Sequence, residues 1–213
     1  MKTPFPTGDV ERPFLEKNQT LCGVDEVGRG CLAGPVYAAA AILDLEALLA
    51  APLETRSLIR DSKTLSKAQR DKSRALMTPY LLDSAWGQAS AEEVDTHGIV
   101  FACFLAMKRA IALLQHPFDH LLVDGRPCIP NFAGPQSAII KGDQKCFSIA
   151  AASIIAKIER DHFMTCAALQ YPQYGMESNV GYGTQHHLEA LQNHGSCPLH
   201  RKSFAPIRDF PAL

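Results

Sequence analysis

No stretch of this 213-residue chain is apolar for long enough to cross a bilayer, and neither sign of charge dominates: 21 Lys and Arg stand against 22 Asp and Glu, a formal net charge of −1. The first absence argues against a helical membrane span. The second removes the bulk electrostatic footprint of a nucleic-acid binder, although acids gathered round a metal would mask a basic rim in the total. Cysteine pairs at metal-ligand spacing are missing too. The seven cysteines, at 22, 31, 103, 128, 146, 166 and 197, are odd in number and nowhere form C-x-x-C. Neither a disulfide framework nor a zinc knuckle is indicated, and a reducing cytoplasm is the expected compartment. The first twenty residues lack the apolar centre of a secretory signal and carry acids that a transit peptide avoids. They are expected to form a short flexible lead over residues 1 to 19. No repeat, low-complexity tract or linker interrupts the remainder of the chain, which predicts one domain over residues 20 to 213.

The residues that are present read as alternating strands and helices. Residues 19 to 24 and 36 to 43, "VYAAAAIL", are two strands separated by the Gly/Pro loop "GRGCLAGP". "SAWGQA" is a third strand, and "HLLVDG" (120 to 125) and "SAIIKGD" (137 to 143) each read as a short strand closing on an acid. Ser66 and Ser90 are expected to cap helices, Ser90 with Glu93 at capping-box spacing. A longer helix is expected over 99 to 115, a largely buried one over "FSIAAASIIAKIERDHFMTCAAL", and a last one between Thr184 and Gly195.

Asp25, Glu26, Asp124 and Asp143 therefore stand where strands run out. One acid after a strand is commonly a turn former, but turn chemistry does not explain three strands ending alike. Clustered carboxylates repel unless a cation sits among them, and oxygen-only ligands suit Mg2+ or Mn2+. Phosphoryl transfer by two metals about 4 Å apart uses such a cluster. Asp25 and Glu26 are neighbours and point to opposite faces of a strand, so they share a site only if the chain bends or Glu26 reaches round. Gly28 and Gly30 make a bend sterically cheap, and their backbone could press on a sugar and phosphate with Arg29 adding charge.

The motifs "GVDEVGRGCLAGP", "DSKTLS" (61 to 66), "VDG", "KGD" followed by "SIAAASIIAKIERD", "GYGT" (181 to 184) and "HRKSFAP" (200 to 206) occur in an order that closely resembles the bacterial ribonuclease HII family, over about residues 20 to 209. The resemblance implies a ribonuclease H-like α/β fold, a mixed five-stranded sheet flanked by helices with a helical C-terminal region. It implies Asp25, Glu26, Asp124 and Asp143 as metal ligands and catalytic residues, with Mg2+ or Mn2+ as cofactor in a two-metal mechanism. The implied substrates are RNA–DNA hybrids and DNA containing ribonucleotides, cut 5′ to the ribonucleotide to leave 3′-hydroxyl and 5′-phosphate ends. Gly28, Arg29, Gly30 and Tyr182 would read the 2′-hydroxyl and its sugar junction, and Lys63, Arg201 and Lys202 would meet phosphates. A cytoplasmic monomer with no membrane partner is expected. Two positions depart from the family: Val180 stands where lysine is usual before "GY", and Cys31 replaces the proline common after "GRG".

Other residues compete for roles. Asp161 lies roughly 20 Å along a helix that begins beside Asp143, so pairing with Lys157 or Arg160 is expected of it rather than metal ligation. His186, His187 and His194 have a spacing that could suggest a metal, but a hard-cation site does not need imidazole. A DNA resolvase on the same superfold would share the acids without sensing a 2′-hydroxyl. A non-enzymatic binding module would use the acids only as turn formers.

Overall fold

The computed structural model describes residues 5–209. Strands β1 (Leu21–Val27), β2 (Val36–Leu43), β3 (Leu81–Ala89), β4 (His120–Asp124) and β5 (Gln136–Ile139) form one sheet in the order β3-β2-β1-β4-β5. β1 pairs antiparallel with β2, which pairs antiparallel with β3, while β4 and β5 run parallel to β1 on its other side. The helices are α1 (Arg12–Leu15), α2 (Leu45–Ala50), α3 (Leu53–Leu58), α4 (Lys67–Met77), α5 (Ala91–His97), α6 (Ile99–Ala112), α7 (Phe147–Gln170), α8 (Met176–Asn179) and α9 (Gln185–His194).

Side-chain alternation along the central strands feeds two cores. Leu21, Tyr37, Ala39, Ala41 and Leu122 pack under α7 with Phe147, Ile149 and Ile154. Cys22, Val24, Ala38, Ala40, Leu121 and Val123 pack under α6 with Ala102, Ala106 and Ala110. The alanines of β2 explain why both layers approach closely. α7 presents Ser148, Ala151 and Ala152, and its backbone comes so near β1 that a side chain on Gly23 would overlap it. A third cluster, with Leu32, Ala33, Met164, Tyr174 and Leu191, joins the end of α7 to α9 and the loop after β1.

The local capping signals hold. Ser66 and Ser90 each sit in a full capping box, with Gln69 and Glu93, and Thr184 accepts from the His187 N–H ahead of α9, which stops at Gly195. Three boundaries differ from expectation. β1 continues to Val27, because its pairing with β2 persists as far as Tyr37, so Asp25 and Glu26 lie inside the strand. α6 ends at Ala112, since the Asp83 carboxylate accepts from the Gln115 and His116 amides beyond it. Asp143 is not at a strand end: β5 stops at Ile139, Lys141 turns left-handed at φ 57°, and Asp143 sits in the 3₁₀ turn Gly142–Gln144.

The flexible lead is, over its described part, tied to the core. Glu11 is fully buried and accepts from the Phe147 and Ser148 amides at 3.0 and 2.9 Å and from the Ser148 hydroxyl at 2.8 Å. Its carboxylate thus caps the amino end of α7, where unpaired N–H groups favour negative charge. Among the described residues all seven cysteines are free, and no helix is long and apolar enough to cross a membrane.

Candidate active site

The parallel pairing of β1 with β4 runs through Val24 and Val123, so Asp25 and Asp124 come side by side where β4 ends and its pairing with β1 stops. Asp25 points to the α7 face, buried, and Glu26 to the other, half-buried. Asp124 accepts from the Gly142 N–H at 2.7 Å, which anchors the turn carrying Asp143 beside it. Two chain segments far apart in sequence are thereby brought to one end of the sheet.

The charges feel one another. Burial, then Glu26 and Asp124, hold the Asp25 carboxyl well above the usual carboxylate range. Glu26 is raised by burial and by Asp124, with Arg29 at 3.7 Å working the other way. Asp143 is pushed up to about 6 by burial, Asp61 and Asp124. Lys63 is a second cation among them: burial alone would lower it, but Asp25, Asp61 and Asp143 outweigh that and raise it.

All donors in this cluster are carboxylate oxygens, the hard set that Mg2+ or Mn2+ takes, and the mutual repulsion is what a divalent ion would relieve. The residues present therefore fit such an ion. Among the described residues no three acids, histidines or cysteines already converge in an ion-holding arrangement. The carboxylates are turned to protein partners instead, Asp25 accepting from the Glu26 N–H at 2.7 Å.

Beyond β1 the chain turns sharply at Gly28, φ 86°, where a Cβ would lie 2.1 Å from the Arg160 Nε. Gly30 is different: a Cβ there would meet nothing within 4 Å, so its backbone faces open space. Arg29 is exposed. Tyr182 is 42% exposed despite its size, and burial of the rest of its ring together with Cys31 raises its phenol. A cavity of about 410 Å³ opens between Tyr182, Val27 and Lys63, with Lys67, Arg70 and Lys157 on its far wall. Its lining mixes these cations with the acids Asp161 and Glu177, and Asp161 is paired with Lys157 and Arg70.

Several expectations for single residues are corrected. Arg201 is fully buried and donates to backbone carbonyls, two bonds to Gly34 and one to Arg29, so its guanidinium is not a surface phosphate contact. Lys202 is exposed. Asp161 pairs with Lys157 at 2.7 Å, as expected, and with Arg70 at 3.0 Å, whereas Arg160 turns away to the loops. His187 does not join His186 and His194: it is buried, with Nε2 3.0 Å from His200 Nε2. Val180 sits at φ 43°, a left-handed conformation costly for a branched side chain.

Sequence reasoning missed Asp61 and Ser153. Asp61 caps the turn that carries Lys63 and contributes to raising Asp143. Ser153 on α7 lies beside Asp25, where it works against the upward push of burial, and its hydroxyl meets the Ser62 hydroxyl at 2.9 Å. The acid of "DSK" was available as a signal for the first. The second had none, because a serine in a small-residue helix looks like packing.

The family model described as Ribonuclease HII matches residues 22–207. A ribonuclease HII of Synechococcus elongatus is 45% identical over 186 residues, covering 87% of this chain and 85% of the relative. In three dimensions the chain is similar to the ribonuclease H2 of Pyrococcus horikoshii, with TM-score 0.73 at 24% identity over 89% of this chain and 96% of that one. It is also similar to Bst-RNase HIII solved in complex with Mn2+, with TM-score 0.62 at 18% identity over 89% of this chain and 68% of that one. These likenesses bear out the mixed five-stranded ribonuclease H-like fold.

Proposed function

The chain belongs to the ribonuclease HII family and is an endoribonuclease acting on RNA–DNA hybrids, and from that premise we propose which residues do the work and what they recognise. Asp25, Glu26, Asp124 and Asp143 hold divalent ions, Mg2+ or Mn2+. Bound there, the ions supply an activated water and charge stabilisation at the leaving oxygen. The observation that carries this reading is the meeting of Asp25 and Asp124 on paired strands, with Asp143 in the turn that the Gly142 amide fastens to Asp124. The Gly142 amide orients Asp124, and Ser153 of α7 lies beside Asp25. Lys63 stands where it can meet a phosphate next to the acids, and Lys202 offers an exposed cation farther out. The Gly30 backbone and the Tyr182 ring, both open to solvent, approach the sugar of a ribonucleotide and the residue after it.

The test is cleavage of two duplexes that differ only in one embedded ribonucleotide, with Mg2+ or Mn2+ added. Nicking 5′ to the ribonucleotide, with 3′-hydroxyl and 5′-phosphate ends and an intact all-DNA control, is expected. Cutting both duplexes alike would indicate a resolvase-like activity that ignores the 2′-hydroxyl. On the ribonucleotide duplex Tyr182→Ala should slow cleavage at least about tenfold, because a lost stacking contact is worth about 1 to 3 kcal/mol. Tyr182→Phe keeps the ring and should be milder. An alanine variant as fast as wild type would return Tyr182 to a packed turn residue.

Metal binding should carry a definite pH signature. The folded-state carboxyl of Asp143 is raised to about 6 from 3.8, so its favourable contribution is complete below the unfolded value and lost as pH rises through about 6. The ion-free protein therefore loses stability over that window, and a divalent ion restores it. Thermal melts with and without Mn2+ should show a larger ion-induced rise in Tm at about pH 7.5 than at about pH 5. An ion effect of equal size at both would contradict binding at these carboxylates.

A further inference from the structure

Two arginines are wholly buried, and every hydrogen bond either makes goes to a backbone carbonyl. Arg160 on α7 donates to Pro35, Val180 and Ala33 at 3.1, 2.8 and 3.1 Å. Arg201 donates through Nε and Nη2 to Gly34 at 3.0 and 2.8 Å, and through Nη1 to Arg29 at 2.9 Å. Burying a guanidinium without a carboxylate is costly. Here it joins two loops that are otherwise stitched backbone to backbone. The Leu32 and Ala33 amides donate to Gly181, the Gly34 amide to Leu199, and the Arg201 amide to Leu32.

A histidine pair closes the unit from below. The Cys197 amide donates to His200 Nδ1 at 2.9 Å, so that nitrogen carries a lone pair and His200 holds its proton on Nε2. That proton points to His187 Nε2 at 3.0 Å, which leaves the His187 proton on Nδ1, facing the Tyr182 carbonyl at 2.9 Å. One polar chain thus runs from the C-terminal segment to the backbone of Tyr182, with both imidazoles neutral.

In a trans peptide the C=O and the following N–H point in opposite directions. Holding the Arg29 carbonyl inward to Arg201 therefore aims the Gly30 N–H outward. A Cβ on Gly30 would meet nothing within 4 Å, so the turn is also unobstructed at its α-carbon.

We propose that Arg201 is a positioning residue for ribose recognition, fixing the Arg29–Gly30 peptide plane and holding the Gly28–Gly30 turn in register with Tyr182. This rests on the reading that the turn and Tyr182 meet the sugar. Arg201 touches no substrate in this role. Loosening the plane lowers the fraction of bound complexes that are aligned for reaction, while phosphate contacts elsewhere maintain binding, so the loss falls on kcat and not on KM.

The experiment measures kcat and KM of Arg201→Lys, per folded molecule, on the single-ribonucleotide duplex at saturating Mn2+. Wild-type cleavage of that duplex and not of all-DNA is established first, so that failure of the underlying reading shows in the wild type alone. A fall in kcat of at least about tenfold with KM within about threefold is expected, and Mn2+ affinity should be unchanged. Wild-type kcat, or a change confined to KM, overturns the proposal. Should Arg201→Lys not fold, hydrogen exchange of the wild-type protein decides: the Leu32, Ala33 and Gly34 amides should exchange as slowly as those of β1, and exchange at open-loop rates refutes a preset turn.

Discussion

Asp25→Asn is expected to abolish cleavage, by at least about a thousandfold, in a protein that folds and melts no lower than wild type. The activity loss comes from removing one charge of a shared ligand set, which withdraws several kcal/mol of charge stabilisation from the reaction. The unchanged or raised stability comes from where Asp25 sits. Its carboxyl is buried at 6% exposure, with Glu26 and Asp124 both pushing it toward the neutral form. Asparagine keeps the oxygen that accepts from the Glu26 amide and discards the repelled charge. A catalytic carboxylate in such surroundings is a stored cost that function requires, so its removal separates activity from stability. The rise in Tm with Mn2+ should also shrink in this variant. Full activity under saturating Mg2+ would remove Asp25 from the catalytic set.

The parts of the molecule legible in the sequence are those written in local signals. Ser66, Ser90 and Thr184 begin helices because each side chain satisfies amides within three residues. The apolar run of β2 announces a strand buried on both faces. The ordered motifs announce the family, and the proposal for the four acids follows from it. The features that escaped are set by contacts between distant residues. Nothing near Glu11 reveals that it caps a helix 136 residues later. Arg201 comes after a histidine and before a lysine, so its charge suggests a basic surface, yet the three-bond carbonyl cradle that buries it comes from residues 29 and 34. The left-handed turn at Lys141 that moves Asp143 off the strand is carried by a residue with no special preference for it. His187 was conspicuous for a neighbour it does not use, and its partner His200 lies outside the helix.

Gly23→Ala should be a severely damaging single methyl. A Cβ at Gly23 would stand 2.2 Å from the Ser148 carbonyl carbon, 2.4 Å from the Ile149 nitrogen and 2.5 Å from the Ser148 oxygen. All three are backbone atoms, so no rotamer change relieves the overlap. α7 cannot simply retreat, because Glu11 holds the Phe147 and Ser148 amides at that same end of the helix. Overpacking of this kind costs about 3 kcal/mol or more, which for a chain of this length lowers Tm by on the order of 10 °C. The damage should reach the site. Gly23 and Asp25 lie on the same face of β1, and Ser153 of α7 lies beside Asp25. Prising the strand from the helix moves that serine away, so the Mn2+-induced rise in Tm should fall along with the melt itself. Gly30→Ala provides the contrast, since its Cβ enters open space: Tm should hold while cleavage at a ribonucleotide suffers. If Gly23→Ala melted within about 2 °C of wild type, a shift of about 1 kcal/mol or less, the close approach of β1 to α7 would not be what positions Asp25.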